Sequence, residues 1–142
     1  MGFTSDVLTA TAVDLAGAGI GTWSPGGGYA KGAWGIFLKV VPANPDRLIT
    51  LSLYGVALDH QGAGTIGLNI RCRAPGFPTA VDDDTDTIYA HLNGRENFTL
   101  GPARVSLAWR QSHTTLGRDG DGRWETSSNY YLTTAQHGTH TE

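Results

Sequence analysis

Sulfur and charge are both scarce in this chain. Cys72 is its only cysteine, which excludes an internal disulfide and fits a reducing compartment. Charged residues fill 16% of the 142 positions, 13 acidic against 10 basic, for a formal charge of −3. A nucleic acid as main partner calls for a clear basic excess, so any contact with DNA has to be local. No apolar window approaches bilayer length, and residues 1–18 lack a basic start followed by an apolar run. Neither a membrane span nor a secretory signal is therefore expected, and the protein is expected to be cytoplasmic when made. Catalytic fingerprints are missing as well: there is no GxSxG nucleophile elbow and no phosphate-binding GxxxxGKS or GxxxxGKT. The GAGIG at 17–21 follows an expected helix, where a dinucleotide fingerprint must follow a strand.

Glycine, by contrast, is plentiful, with 20 residues beside 39% hydrophobic ones, a globular but turn-rich composition that favours sheets over bundles. The length suits one domain, taken as residues 1–134, followed by a polar tail at 135–142 that is expected to be flexible. Phe3 before a capping Thr4 can staple to Leu8, and Leu8, Ala12, Leu15 and Ala16 form one helical stripe that Gly17 and Gly19 end. A brief strand at 20–23 and a glycine-rich loop at 24–28 follow. Residues 35–41 and 47–54 read as two strands of a hairpin joined through Pro42 and Pro45. Residues 65–73 alternate, with Ile66, Leu68, Ile70 and Cys72 facing the core. The second helix has Thr79 as a cap paired with Asp82, an inward stripe of Val81, Thr85, Ile88 and Leu92, and Asn93-Gly94 as its end. Strands at 97–100, 103–112 and 123–134 complete an α+β domain, a mainly antiparallel sheet with both helices packed on one face.

Few residues point to chemistry. Asp82, Asp83, Asp84 and Asp86 are explained by the helix dipole, which stabilises solvated carboxylates in a first turn. Asp119-Gly120-Asp121 lacks the oxygen ligand and the glycine that a calcium loop needs next, and is read as a hairpin turn. His60, His91, His113, His137 and His140 are scattered and have no ligand spacing. No metal or cofactor is expected. The sequon Asn97-Phe98-Thr99 is read as chance. Arg71 and Arg73, with Arg104 and Arg110, form either one basic strip for contact or an ordinary solvated sheet face. Trp23, Tyr29 and Trp34, in or beside the glycine-rich loop, are either contact anchors or a satellite core.

The stretch 109–132 carries the most information. Apolar residues recur at every second position, at Val105, Leu107 and Trp109 and again at Trp124, Tyr130 and Leu132. Three glycines among Arg118, Asp119, Asp121 and Arg123 make an apex, so a protruding two-stranded ribbon is expected, suited to docking. With WRQS at 109–112, LGRDGDGRWE at 116–125, SSNYY at 127–131 and GGYAKGAWGIFLKVVPANPDR at 27–47, the chain resembles the minor capsid or tail-terminator proteins of long-tailed phages and prophages of actinobacteria. The likeness covers most of the chain outside residues 55–65 and the tail.

That resemblance implies a non-enzymatic structural protein of the virion, assembled in the host cytoplasm. It would form a ring of six copies on the end of the tail tube, stop tube polymerisation and present a surface to the head-tail connector, with genomic DNA passing through the lumen. A closed ring needs a heterologous interface. The expected contacts are Arg118, Asp119, Asp121 and Arg123 at the ribbon tip with Trp124 as anchor, Arg71, Arg73 and Arg110 on the sheet, and Trp23 and Trp34. A connector or stopper protein of the neck is the nearest alternative. A small ligand-binding module would need aromatics converging on a pocket, and an enzyme would need perturbed ionisable groups in a cleft.

Overall fold

Val7, Leu8, Thr11, Ala12 and Leu15 recur at helical spacing and are buried along one side of α1 (Phe3–Gly17),. The computed structural model describes residues 2–135; most of the expected tail, with His137 and His140, lies outside them. Six of the strands are β1 (Thr22–Trp23), β2 (Trp34–Leu38), β3 (Arg47–Leu58), β4 (Gly64–Ala74), β5 (Glu96–Leu100) and β6 (Ala103–Arg118). With β7 (Trp124–Thr134) they form one seven-stranded sheet, and α2 (Ala80–Leu92) lies between β4 and β5 in sequence. The strand order is β1-β2-β3-β4-β7-β6-β5.

Both helices pack on the same face. Val81, Thr85, Ile88 and Leu92 turn α2 inward as expected, against β4, β7 and β6. α1 touches β1, β2 and β3 but also β5 at the far end of the strand order, so the sheet curls around it. Leu51, Ile66, Leu68, Ile70, Cys72, Ala108, Tyr130 and Leu132 fill the core between sheet and helices. No helix among the described residues is long and apolar enough to cross a membrane.

Four expectations are corrected. First, the strands around 35–54 do not form a hairpin: β2 runs parallel to β3, and β1 parallel to β2. Residues 39–46 carry the chain back without a helix, which is short for a parallel return. Two hydrogen bonds hold its first part, from Lys39 N to the Leu51 carbonyl at 2.8 Å and from the Thr50 hydroxyl to the Val40 carbonyl at 2.7 Å.

Second, the ribbon of β6 and β7 does not protrude, because β4 flanks β7 along its whole length, from Gly64↔Thr134 to Ala74↔Trp124. Third, the inward alternation at Val105, Leu107 and Trp109 breaks at a register shift between Val105 and Leu107. That bulge turns Ala108 into the core and leaves Trp109 39% exposed,. Fourth, neither helix has a side-chain cap: α1 opens on Gly2, and Thr79 makes no capping bond.

The β3–β4 and β6–β7 connections are the same five-residue turn, DHQGA at 59–63 and DGDGR at 119–123. In each, the aspartate amide reaches the fifth residue's carbonyl at 2.8 Å, and the fourth residue, a glycine, returns its amide to the aspartate carbonyl. The aspartate Oδ1 accepts the amides of the third and fifth residues at 2.8–3.0 Å. Gly62 and Gly122 stand at φ 85° and 78°, a region that side chains disfavour. Backbone amides hold both carboxyls below the usual aspartate range, chiefly the amide of Ala63 for Asp59 and of Arg123 for Asp119,.

Candidate functional site

With both helices on one face, the other face of β3, β4, β7 and β6 is the candidate surface. Tyr54, Gly67, Tyr131 and Trp109 are partners in register across these four strands, so their side chains form one row. Trp109 meets Tyr131 edge to face at 5.3 Å. The Tyr54 ring lies over Gly67, where an added Cβ would come within 2.6 Å of ring carbons. Tyr54 and Trp109 are both more than a third exposed, and Tyr131 is half-buried.

Next to that row is an amide and hydroxyl belt. Asn69 Nδ2 donates to Ser127 Oγ at 2.8 Å and to Asn129 Oδ1 at 2.9 Å, and Asn129 Nδ2 donates to Ser112 Oγ at 3.0 Å. Beyond the belt, Arg71 pairs with Glu125, its Nε at 3.0 Å and its Nη2 closer still. The two ions neutralise one another, so this middle region is polar without net charge.

The far end of the face is covered by the 39–46 return. Arg73 is 2% exposed. Its Nη2 donates to the carbonyls of Pro42, Pro45 and Ala43 at 2.8, 2.8 and 3.3 Å, and its Nε to that of Asp46 at 3.1 Å. Arg123 is buried too. It donates to the Ala43 carbonyl at 2.6 Å and reaches Asp119 at 2.9 Å and Asp46 at 3.2 Å. Two arginines expected on a surface thus clamp the connection that makes the parallel strands possible.

The remaining expected contacts divide between the surfaces. Arg110 lies on the helix side, over the Tyr89 ring at 4.2 Å and beside its register partner Tyr130. Its Nη1 and the Tyr130 hydroxyl are buried with no hydrogen-bond partner among the described residues. Burial pushes the Tyr130 hydroxyl well above its ordinary range. Arg71 and Arg110 therefore occupy opposite faces, and no basic strip forms. Arg118 and Asp121 are exposed at the turn, with Arg118 5.9 Å from the Trp124 ring. Trp23, Trp34 and Trp124 are partly buried against the core. Arg47 covers the Trp34 ring at 3.8 Å.

Arg47 also binds both oxygens of Asp84, at 2.9 and 2.6 Å. Asp84 is buried, so it is not the solvated carboxylate expected from its place in the helix. Asp14 joins the helices at their other ends, accepting from His91 Nε2 at 2.8 Å and Arg95 Nη1 at 2.9 Å. Partial burial works to raise the Asp14 carboxyl, but these hydrogen bonds and charges outweigh it and hold it low. Burial raises the Cys72 thiol to about 12.

A cavity of about 680 Å³ lies between the glycine-rich loop and the 39–46 return, lined by Tyr29, Lys31, Asn44, Asp46 and Arg47. Tyr29 is tied to its surroundings, its hydroxyl bonded to Ser24 and Ile36 and its ring 4.9 Å from Phe37. No cluster of three or more His, Cys, Asp or Glu placed to hold a metal occurs among the described residues.

Sequence reasoning missed the aromatic row. Tyr54 only ends the expected strand at 47–54 and Trp109 falls in an expected inward alternation, and the bulge and the cross-strand register bring them together on the open face. The one signal available was Gly67 amid large residues, a vacancy for a ring. Compared with known proteins, residues 15–136 match a family model described as bacteriophage tail terminator protein. No curated protein matches the chain.

Proposed function

Since the chain belongs to the bacteriophage tail terminator family, a structural, non-enzymatic family whose place is the virion tail, we propose that it closes into a ring of six copies on the end of the tail tube. The ring ends tube polymerisation, offers its far side to the head-tail connector proteins and lets genomic DNA pass through its lumen. Its setting is a long-tailed phage or prophage of actinobacteria, with assembly in the host cytoplasm, as the motifs at 27–47 and 109–131 suggest.

The observation that carries this reading is the open sheet face with its row of Tyr54, Tyr131 and Trp109. Half-exposed aromatics on a rigid sheet are suited to act as contact anchors, because they bury a large area at little entropic cost. Arg118 and Asp121 at the turn are the expected contact charges that stand exposed, Asp121 with one oxygen 3.3 Å from Arg123, and they set register rather than affinity. Arg73, Asp119 and Arg123 act indirectly, by fixing the surface that the others present.

Size exclusion with light scattering, alone and with polymerised tail tubes, followed by imaging of tube ends, tests the reading. The wild type should occupy one end of each tube and block its growth. Trp109→Ala with Tyr131→Ala should remain folded and lose end binding at least tenfold. Unimpaired capping by that variant, or binding to connectors without tubes, would overturn the assignment.

A further inference from the structure

Two stretches of strand edge are left open, and their positions are related. β2 covers only residues 47–51 of β3, so residues 52–58 have a bare outer edge among the described residues. On the other side β5 pairs β6 only as far as Leu107, and Arg110 N turns to the Asn93 side chain. Residues 111–118 of β6 are therefore bare as well.

Measured against β7 between them, the β6 edge runs beside residues 124–129 and the β3 edge beside residues 129–134. The two are of nearly equal length, lie on opposite sides of the sheet and occupy opposite halves of it. They also differ in character. One carries Gln111, Ser112, His113, Thr114 and Thr115 with Leu116, and the other carries Leu53, Tyr54, Val56 and Leu58. Leu116 is 47% exposed and Val56 44%. Bare edges of this length are templates for another strand, and soluble chains rarely leave them so.

We propose that residues 111–118 of one copy pair antiparallel with residues 52–58 of the next, so that the β3-β4-β7-β6 sheets run on from copy to copy around the ring; this rests on the ring reading above. Direction favours it: β6 is antiparallel to β7 and β7 runs with β3, so a rotated neighbour offers its β3 edge in the antiparallel sense.

The offset favours it too. Bringing the edges level slides the neighbour by five residues, about 17 Å along the strands at ~3.4 Å per residue, while four strand spacings move it across by about 19 Å. A slide of that ratio is a tilt of about 40°, inside the ~35–45° that a closing sheet needs. The covered halves do not collide, because β1, β2 and β5 curl towards α1.

Cysteine pairs test the contact. Val56→Cys is combined in turn with His113→Cys, Thr114→Cys, Thr115→Cys and Leu116→Cys, and each protein is oxidised on tail tubes. Within one copy the two positions are separated by three strand spacings and half a sheet length, far beyond the ~4.4–6.8 Å between Cα atoms that a disulfide spans. The native Cys72 is buried. At least one pair should give a ladder of bands on a non-reducing gel that ends at the ring's copy number, and no single-cysteine variant should do so. Tube capping by all four variants without any ladder would overturn the pairing and leave the ring reading standing. Bands from single-cysteine variants that stop at two copies would replace it with same-edge pairing. Failure of the wild type to bind tube ends would remove the ring reading and this contact together.

Discussion

Replacing Arg73 with Met should cost more stability than any single change on the open face. The guanidinium makes four bonds to main-chain carbonyls of the 39–46 return, three of them at 3.1 Å or less. Hydrogen bonds from a charged donor are each worth about 1.5–3 kcal/mol when lost one at a time, and losses within one network are not additive. The Ala43 carbonyl keeps its bond from Arg123 at 2.6 Å and Asp46 is exposed to water, whereas Pro45 is buried and its carbonyl is left without a donor. The net loss should be about 3–4 kcal/mol, a fall in Tm on the order of 10–15 °C for a chain of this length. Arg73→Lys should recover about half, because an ammonium is a point charge and cannot reach the carbonyls of residues 42 and 46 together. Urea titration gives the magnitude, and hydrogen exchange locates it: amides of β2 should lose protection before those of β7. A loss under about 1 kcal/mol for Arg73→Met, or a Lys variant equal to wild type, would refute the clamp.

Gly67→Ala should destabilise by about 1–3 kcal/mol, as overpacking does, because the new methyl meets both the ring and the carbonyl of Tyr54 at 2.6 Å; denaturation would show it, and an unchanged midpoint would contradict the ring's position. Asp14→Asn should lose about 2 kcal/mol at neutral pH. The Asp14 carboxyl is held below its unfolded value near ~3.9, so its contribution is present above that pH and disappears as pH falls through the lower folded value. The two proteins should therefore converge in acid, and a constant gap down to pH 2 would deny the ion cluster. The Cys72 thiol, buried and raised to about 12, should react with a thiol reagent at pH 8 only as fast as the protein opens; prompt labelling of the native protein would place the sulfur elsewhere.

The apolar pattern made most of the fold legible. Leu8, Ala12 and Leu15, then Val81, Ile88 and Leu92, marked both helix faces, and Ile66, Leu68, Ile70 and Cys72 marked the central strand, because each set has to be removed from water together. Strand direction was not legible. Pro42 and Pro45 look like hairpin chemistry, and the parallel return depends on an arginine 27 or more residues further on. Arg73 and Arg123 read as surface cations because burial of a guanidinium is decided by carbonyls that the chain brings from elsewhere. Trp109 was misplaced by one bulge, since a single extra residue reverses the facing of all that follow it. The D-x-x-G spacing at 59–62 and 119–122 was visible, but a match between two such turns has no periodicity to announce it.

Those twin turns have a consequence for how such a protein diversifies. They ask for an aspartate first and a glycine fourth, and for little besides a main-chain amide in between. His60 with Gln61, and Gly120, thus sit at opposite poles of the sheet as three letters that can be rewritten without disturbing the grammar around them, while Asp121 is tied to Arg123 at 3.3 Å. A lineage that meets an altered neighbour at either pole can follow it by exchanging these side chains alone, leaving the hydrophobic interior and the arginine clamp untouched.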